Sequence, residues 1–128
     1  MLLELHVRNL ALIEKADVEF GEGLNILTGE TGAGKSIVID SLSAVLGQRT
    51  SRDLIRTGAD KAYVSACFTG IPPEVGEDLG ITWDEELLLQ REIHADGKNV
   101  CRVGSRPVTV TQLRTLGSRL LNIHGQHD

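Results

Sequence analysis

Between a short apolar run, Leu24-Asn25-Ile26-Leu27-Thr28, and a helical pattern that includes Val38 lies Gly29-Glu30-Thr31-Gly32-Ala33-Gly34-Lys35-Ser36. Three of the chain's 14 glycines fall within these six positions, 29 to 34. The octapeptide satisfies the phosphate-loop pattern G-x-x-x-x-G-K-[ST] in full. The chemistry needs these residue types. Glycines let the backbone curl until several N–H groups point inward at phosphate oxygens. The helix that follows directs its partial positive charge at the same anion. A chance match somewhere in the sequence has a probability of roughly 1% or less at ordinary glycine usage. The motif also follows an apolar strand and opens an amphipathic helix, as the mechanism demands. A Gly-rich turn with an exposed lysine would need neither neighbour.

On this reading Gly29, Glu30, Thr31, Gly32, Ala33, Gly34, Lys35 and Ser36 hold the nucleotide. Lys35 neutralises the β- and γ-phosphates, and the Ser36 hydroxyl ligates Mg²⁺. The expected cofactors are therefore ATP and Mg²⁺.

Composition narrows the partners. Aromatic residues make up 3% of the chain, too few for recognition by base stacking. The net charge is −5, so the chain as a whole is not a basic nucleic-acid glove. No apolar run approaches the roughly 18 residues that span a bilayer, and the start, Met1-Leu2-Leu3-Glu4, does not read as a secretory signal. Cys67 and Cys101 are too few for a disulfide framework and fit a reducing cytosol as small buried hydrophobes.

The rest of the chain reads as strands, the P-loop helix, antiparallel strands, a helix and a last strand. Leu3, Leu5 and Val7 share one face of a strand over 2–8, and Ala16, Val18 and Phe20 alternate likewise. Gly47 is placed to end the first helix. Residues 62–69 read as a strand, and 86–93 with 98–103 flank Ala95-Asp96-Gly97 as a hairpin. Thr109 and Gln112 form a capping box for a helix expected to run through Leu116 and stop at Gly117. Arg119 to Ile123 reads as the last strand. The fold class is α/β: a P-loop layer with a β-rich insertion at 60–104.

A P-loop alone does not choose between kinases, GTPases, motors and ABC-type ATPases. The Asn-Lys-x-Asp base-reading pattern is absent, as is a Leu-Ser-Gly-Gly-Gln signature. No second apolar strand ends in an acid that could hold Mg²⁺ or activate water. Ile37-Val38-Ile39-Asp40 lies on the helix itself.

Longer stretches resemble a family. Leu5 to Ile13, Phe20 to Ser36, Leu46-Gly-Gln-Arg49, Ile55 to Ala59, Val108 to Leu113 and Leu121-Asn-Ile-His-Gly-Gln-His-Asp128 are similar to RecN, the bacterial SMC-like DNA repair ATPases. The resemblance runs over nearly the whole chain and is weakest at 70–90. It implies the N-terminal lobe, 1–128, of an ABC/SMC-type ATPase head in a longer chain. Partners would then be the C-terminal lobe of the same head, a second head in a homodimer, and the DNA backbone, with no membrane. Location would be cytoplasmic and nucleoid-associated. It also gives Gln126 the role of Q-loop glutamine, a catalytic residue beside Lys35 that reaches Mg²⁺ and the attacking water. Arg8 and Asn9 fall where such heads approach the nucleotide. Without an acidic strand, hydrolysis by these residues alone is expected to be negligible.

Three other readings stay open: a head lobe of another SMC-like or RecF-like DNA protein, a small self-contained P-loop phosphotransferase, and a nucleotide-binding module that regulates a partner. His124 and His127 form an H-x-x-H pair, but a structural zinc site wants four ligands. For DNA, Lys98, Arg102, Arg106, Arg114 and Arg119 occur over 98–127 with no acid between, and Arg49, Arg52, Arg56 and Lys61 form a second basic segment. Spaced bases of this kind bind phosphate without reading sequence. Arg52, Arg56 and Arg102 are the contact candidates. The plain alternative is that such bases balance the six acids of Glu74 to Glu86.

Overall fold

Alternation of apolar and polar residues lays down an antiparallel sheet. In the computed structural model, residues 2–11, 13–20, 24–26, 31–50 and 52–124 are described. In chain order these form β1 (Leu2–Leu10), β2 (Ile13–Phe20), β3 (Leu24–Ile26), α1 (Thr31–Val45), β4 (Lys61–Thr69), β5 (Glu86–His94), β6 (Asn99–Val103), β7 (Arg106–Val108) and α2 (Val110–His124). Short 3-10 turns cover Arg52–Leu54 and Pro73–Leu79. The seven strands make one sheet in the order β3-β2-β1-β4-β5-β6-β7. Every neighbouring pair is antiparallel. Strands β4 to β7 therefore continue the sheet that β1 to β3 begin.

Period 2 decides which face is buried. Leu5 and Val7 of β1, Ala16 and Val18 of β2, Ala62, Val64 and Ala66 of β4, and Leu87 and Leu89 of β5 all reach the core. Ala44, Val45 and Leu46 at the end of α1 and Leu113, Leu116 and Leu120 of α2 complete it. The two helices thus lie on one side of the sheet. Pro107 sits on β7, at the edge of the sheet, where a missing N–H costs no ladder bond.

The Ala95-Asp96-Gly97 hairpin forms as expected, with Ile93 opposite Asn99. So does the capping box: the Gln112 N–H donates to Thr109 Oγ1 (3.0 Å), and the Thr109 N–H donates to Gln112 Oε1 (2.9 Å). After Gly104, at φ 64°, Arg106–Val108 adds a short edge strand.

The end of α2 differs from the sequence reading. The helix does not stop at Gly117, and Arg119 to Ile123 is not a strand; α2 runs unbroken to His124. Leu113, Leu116 and Leu120 form a helical stripe, while Arg119 turns away toward Asp78. Gly117 is a packing residue. A Cβ there would collide with the Leu46 carbonyl oxygen. The glycine signals a close helix contact, although it resembles a stop signal.

Candidate functional site

The phosphate-loop motif joins β3 to α1. Strand β3 runs antiparallel to β2, with Leu24 opposite Phe20 and Ile26 opposite Val18. Its direction therefore points toward the sheet end where β1 turns into β2. Gly29, Glu30 and Gln126 lie outside the described residues. Thr31, Gly32, Ala33, Gly34, Lys35 and Ser36 occupy the start of α1, so the helix takes in most of the motif and begins earlier than Val38 suggests. No acidic residue stands in its first turn, leaving the positive end of the helix dipole unopposed by that turn's own side chains.

The other end of α1 is held by cations. Arg91 points inward from β5 and is 2% exposed. Its Nη1 donates to the carbonyls of Ala44 and Gln48, each at 2.7 Å, and its Nε donates to Asn99 Oδ1 at 2.9 Å. Arg114 of α2 donates from Nε to the Gly47 carbonyl at 3.1 Å. Burial lowers the Arg91 pKa, and nearby Arg114 pushes the same way. The cost of burying this cation is offset by carbonyls at a negative helix end. Gly47 ends the helix at φ 87°, with α2 backbone so near that a Cβ would strike Arg114 N.

At the sheet end toward which β3 points, the β1–β2 turn contains two non-glycine residues at positive φ, Asn9 and Ala11, both at 54°. The segment after α1 is pinned to it. The Ala11 N–H donates to the Leu54 carbonyl (2.6 Å), the Arg56 N–H donates to the Asn9 carbonyl (2.9 Å), and Leu10 bridges Ile55. Arg56 is exposed there, four residues after Arg52.

Of the proposed DNA contacts, Arg56 sits beside the β1–β2 turn and Arg102 on β6. Arg102 lies on β6, on the same register line as Gln90, Ser65 and His6. Strands β1 and β6 are three spacings apart, roughly 14 Å. Arg8, by contrast, donates to Asp17 Oδ1 at 3.0 Å on the face away from α1. His6 shares that carboxylate at 2.6 Å and also meets Glu4 Oε1 at 3.0 Å. The Asp17 hydrogen bond raises the His6 pKa, and His6 in turn lowers that of Asp17.

Several bases of the 98–127 segment balance local structure. Arg119 forms a two-point ion pair with Asp78 (2.6 and 2.9 Å) and donates to the Val75 carbonyl. Arg106 donates to the Gly80 carbonyl. Arg119 thus pairs with one of the acids of Glu74 to Glu86, while Arg106 meets a backbone carbonyl. Cys67 and Cys101 are buried free thiols, and burial pushes the Cys67 thiol up to about 11. Among the described residues no three His, Cys, Asp or Glu side chains gather to hold a metal, and no helix is long and apolar enough to cross a membrane.

The sequence reading missed the arginine clamp on α1. Its signal was present in the inward series of β5, where Arg91 stands between Leu89 and Ile93. A charged residue in an apolar alternation marks a buried partner set.

Comparison with known proteins agrees with this architecture. A family model described as an AAA domain matches residues 4–101. The DNA repair protein RecN of Bacillus subtilis (strain 168) is 45% identical over all of this chain and 23% of that protein. RecN of Halalkalibacterium halodurans is 41% identical over all of this chain and 24% of its own length. The chain thus spans about a quarter of the curated relatives it matches. Among solved structures, an SMC ATPase studied for ATP-driven dimerization and DNA-stimulated activation superposes with a TM-score of 0.71 at 22% identity, covering 94% of this chain and 79% of that one. RecF with ATP gives 0.61 at 19% identity, covering 84% of this chain and 27% of that one. These likenesses show the fold, that of a P-loop ATPase head.

Proposed function

Because the chain belongs to the AAA domain family and is similar to RecN over its whole length, we propose that it is the ATP-binding lobe of a DNA repair ATPase. The observation that carries this reading is the complete phosphate-loop motif entering α1, a helix with no acid in its first turn and with Arg91 on its Ala44 carbonyl. Backbone N–H groups of Gly29 to Ser36 and the Lys35 ammonium would bind the phosphates. Mg²⁺, when bound, would supply charge neutralisation, with the Ser36 hydroxyl and the Gln126 side chain as its protein contacts.

The same reading makes residues 1–128 one lobe of a longer head, with 60–104 its β-rich part. Its partners would be a C-terminal lobe and a second head. One face of α1 supports the first. Ile39 is 61% exposed, and with Leu42, Ser43, Leu46 and Gln48 it lines an apolar groove that a further lobe would cover. Closure of two heads on ATP and reopening after hydrolysis would form a two-state element biased by the γ-phosphate. DNA would be held by its phosphates alone, through Arg52, Arg56 and Arg102. Such a protein works beside the bacterial chromosome, in the cytoplasm.

Two experiments test this. Steady-state ATP turnover should be near zero for residues 1–128 and substantial for the longer protein. Strong turnover by 1–128 itself, lost in Lys35→Ala, would favour a self-contained phosphotransfer enzyme. Charge reversal at Arg52, Arg56 and Arg102 together should weaken DNA binding and flatten its salt dependence. Unchanged binding across a salt series would remove these residues from the DNA surface.

A further inference from the structure

The chain leaves β1 for β2 through backbone that alanine seldom adopts. Asn9 and Ala11 both stand at φ 54°, on either side of Leu10, which is 2% exposed. Asparagine visits this left-handed region with little strain, whereas alanine does not. Strain of this kind persists only where the surrounding structure fixes it. Here that structure is the strip of chain following α1. The Ala11 N–H donates to the Leu54 carbonyl at 2.6 Å, and the Arg56 N–H donates to the Asn9 carbonyl at 2.9 Å. Between these two bonds Leu10 bridges Ile55, and both side chains are buried. The two residues at positive φ are therefore the two backbone anchors of the strip, and one of them holds Arg56 directly. Resting on the DNA reading above, we propose that Asn9 and Ala11 are positioning residues for Arg56: their left-handed backbone fixes its main chain at the end of the sheet and so sets where its guanidinium meets a DNA phosphate.

Two observations favour this over an ordinary hairpin turn. A turn that only reversed the chain would be met by glycine at its left-handed positions, and glycine stands at neither. The anchored strip also ends in a free cation. Arg56 is exposed, and among the described residues no hydrogen bond or ion pair occupies its guanidinium. Arg8, Arg106 and Arg119, by contrast, are held by protein acceptors. A phosphate contact gains from a cation whose main chain is already fixed, because ordering a loose arginine on binding costs conformational entropy. Ala11 is itself exposed, so a substitution there acts through the backbone and removes no packing.

The test uses the full-length protein that carries this lobe, with Mg-ATP present, and a fluorescein-labelled blunt DNA duplex followed by anisotropy across a salt series. Arg56→Ala should weaken binding about threefold or more and lower the salt slope by about one, the loss of one phosphate contact. A β-branched residue does not hold φ 54°, so Ala11→Val should reproduce both changes. Ala11→Gly, which holds that angle without strain, should stay within about twofold of wild type with the slope unchanged. The double variant Ala11→Val/Arg56→Ala should bind no more weakly than Arg56→Ala, because both remove the same contact. Wild-type binding by Ala11→Val, an equal loss in Ala11→Gly, or losses that multiply in the double variant would overturn the positioning and leave Arg56 as a DNA contact. No binding by wild type, or wild-type binding and slope in Arg56→Ala, would overturn both. If Ala11→Val fails to fold, Asn9→Val replaces it with the same outcomes.

Discussion

Gly117 of α2 faces the Leu46 carbonyl oxygen with no space for a Cβ between them. Two effects then compete in Gly117→Ala. A glycine inside a helix costs about 0.5–1 kcal/mol relative to alanine. The collision with backbone must be relieved by moving α2 or the end of α1, at about 1–3 kcal/mol. The collision should win, and urea denaturation should show a net loss of stability. A stabilised Gly117→Ala would mean the two helices stand farther apart.

Arg91→Met removes the donors on Ala44, Gln48 and Asn99 while keeping much of the side-chain bulk. Stranding buried polar groups in this way should cost about 3 kcal/mol. Surface arginines such as Arg102 should change by less than about 0.5 kcal/mol on the same substitution. Equal midpoints for the two variants would contradict the buried clamp.

The Thr109–Gln112 capping box should contribute about 1 kcal/mol, read as the loss in Thr109→Ala. Thr109→Ser, which keeps the hydroxyl, should recover most of it.

The His6–Asp17 pair sets a pH window. The folded pKa of His6 lies above its ordinary value of 6.5, because the Asp17 hydrogen bond favours the charged ring. Its contribution is full below about pH 6.5 and is lost as pH rises through the folded value. The folded pKa of Asp17 lies below 3.8, so its contribution is present above that value and lost as pH falls through the folded one. Partial exposure of the pair limits the stabilisation to about 0.5 kcal/mol. An NMR titration of His6 should give a midpoint above 6.5 that drops in Asp17→Asn. The same midpoint in both proteins would refute the pairing.

How much of this could be read from the residues differs by element. The phosphate loop, the Ala95-Gly97 hairpin and the Thr109 capping box rest on short-range rules, in which a residue's neighbours decide its conformation. Gly117 went astray because an isolated glycine signals both a helix end and a close approach, and only the packing of Leu46 against it distinguishes them. Arg119 went with it: its partner Asp78 lies 41 residues away. The clamp on α1 was hidden for the same reason, since Arg91 and Ala44 meet across 47 positions. Long-range polar pairs leave little local trace.

Gly29 to Ser36 should bind ATP through Lys35. Isothermal titration of wild type and Lys35→Ala with Mg-ATP tests it most directly. Wild type should bind and Lys35→Ala should show no detectable binding, with both proteins showing the same circular dichroism. Equal affinity in the two would contradict it.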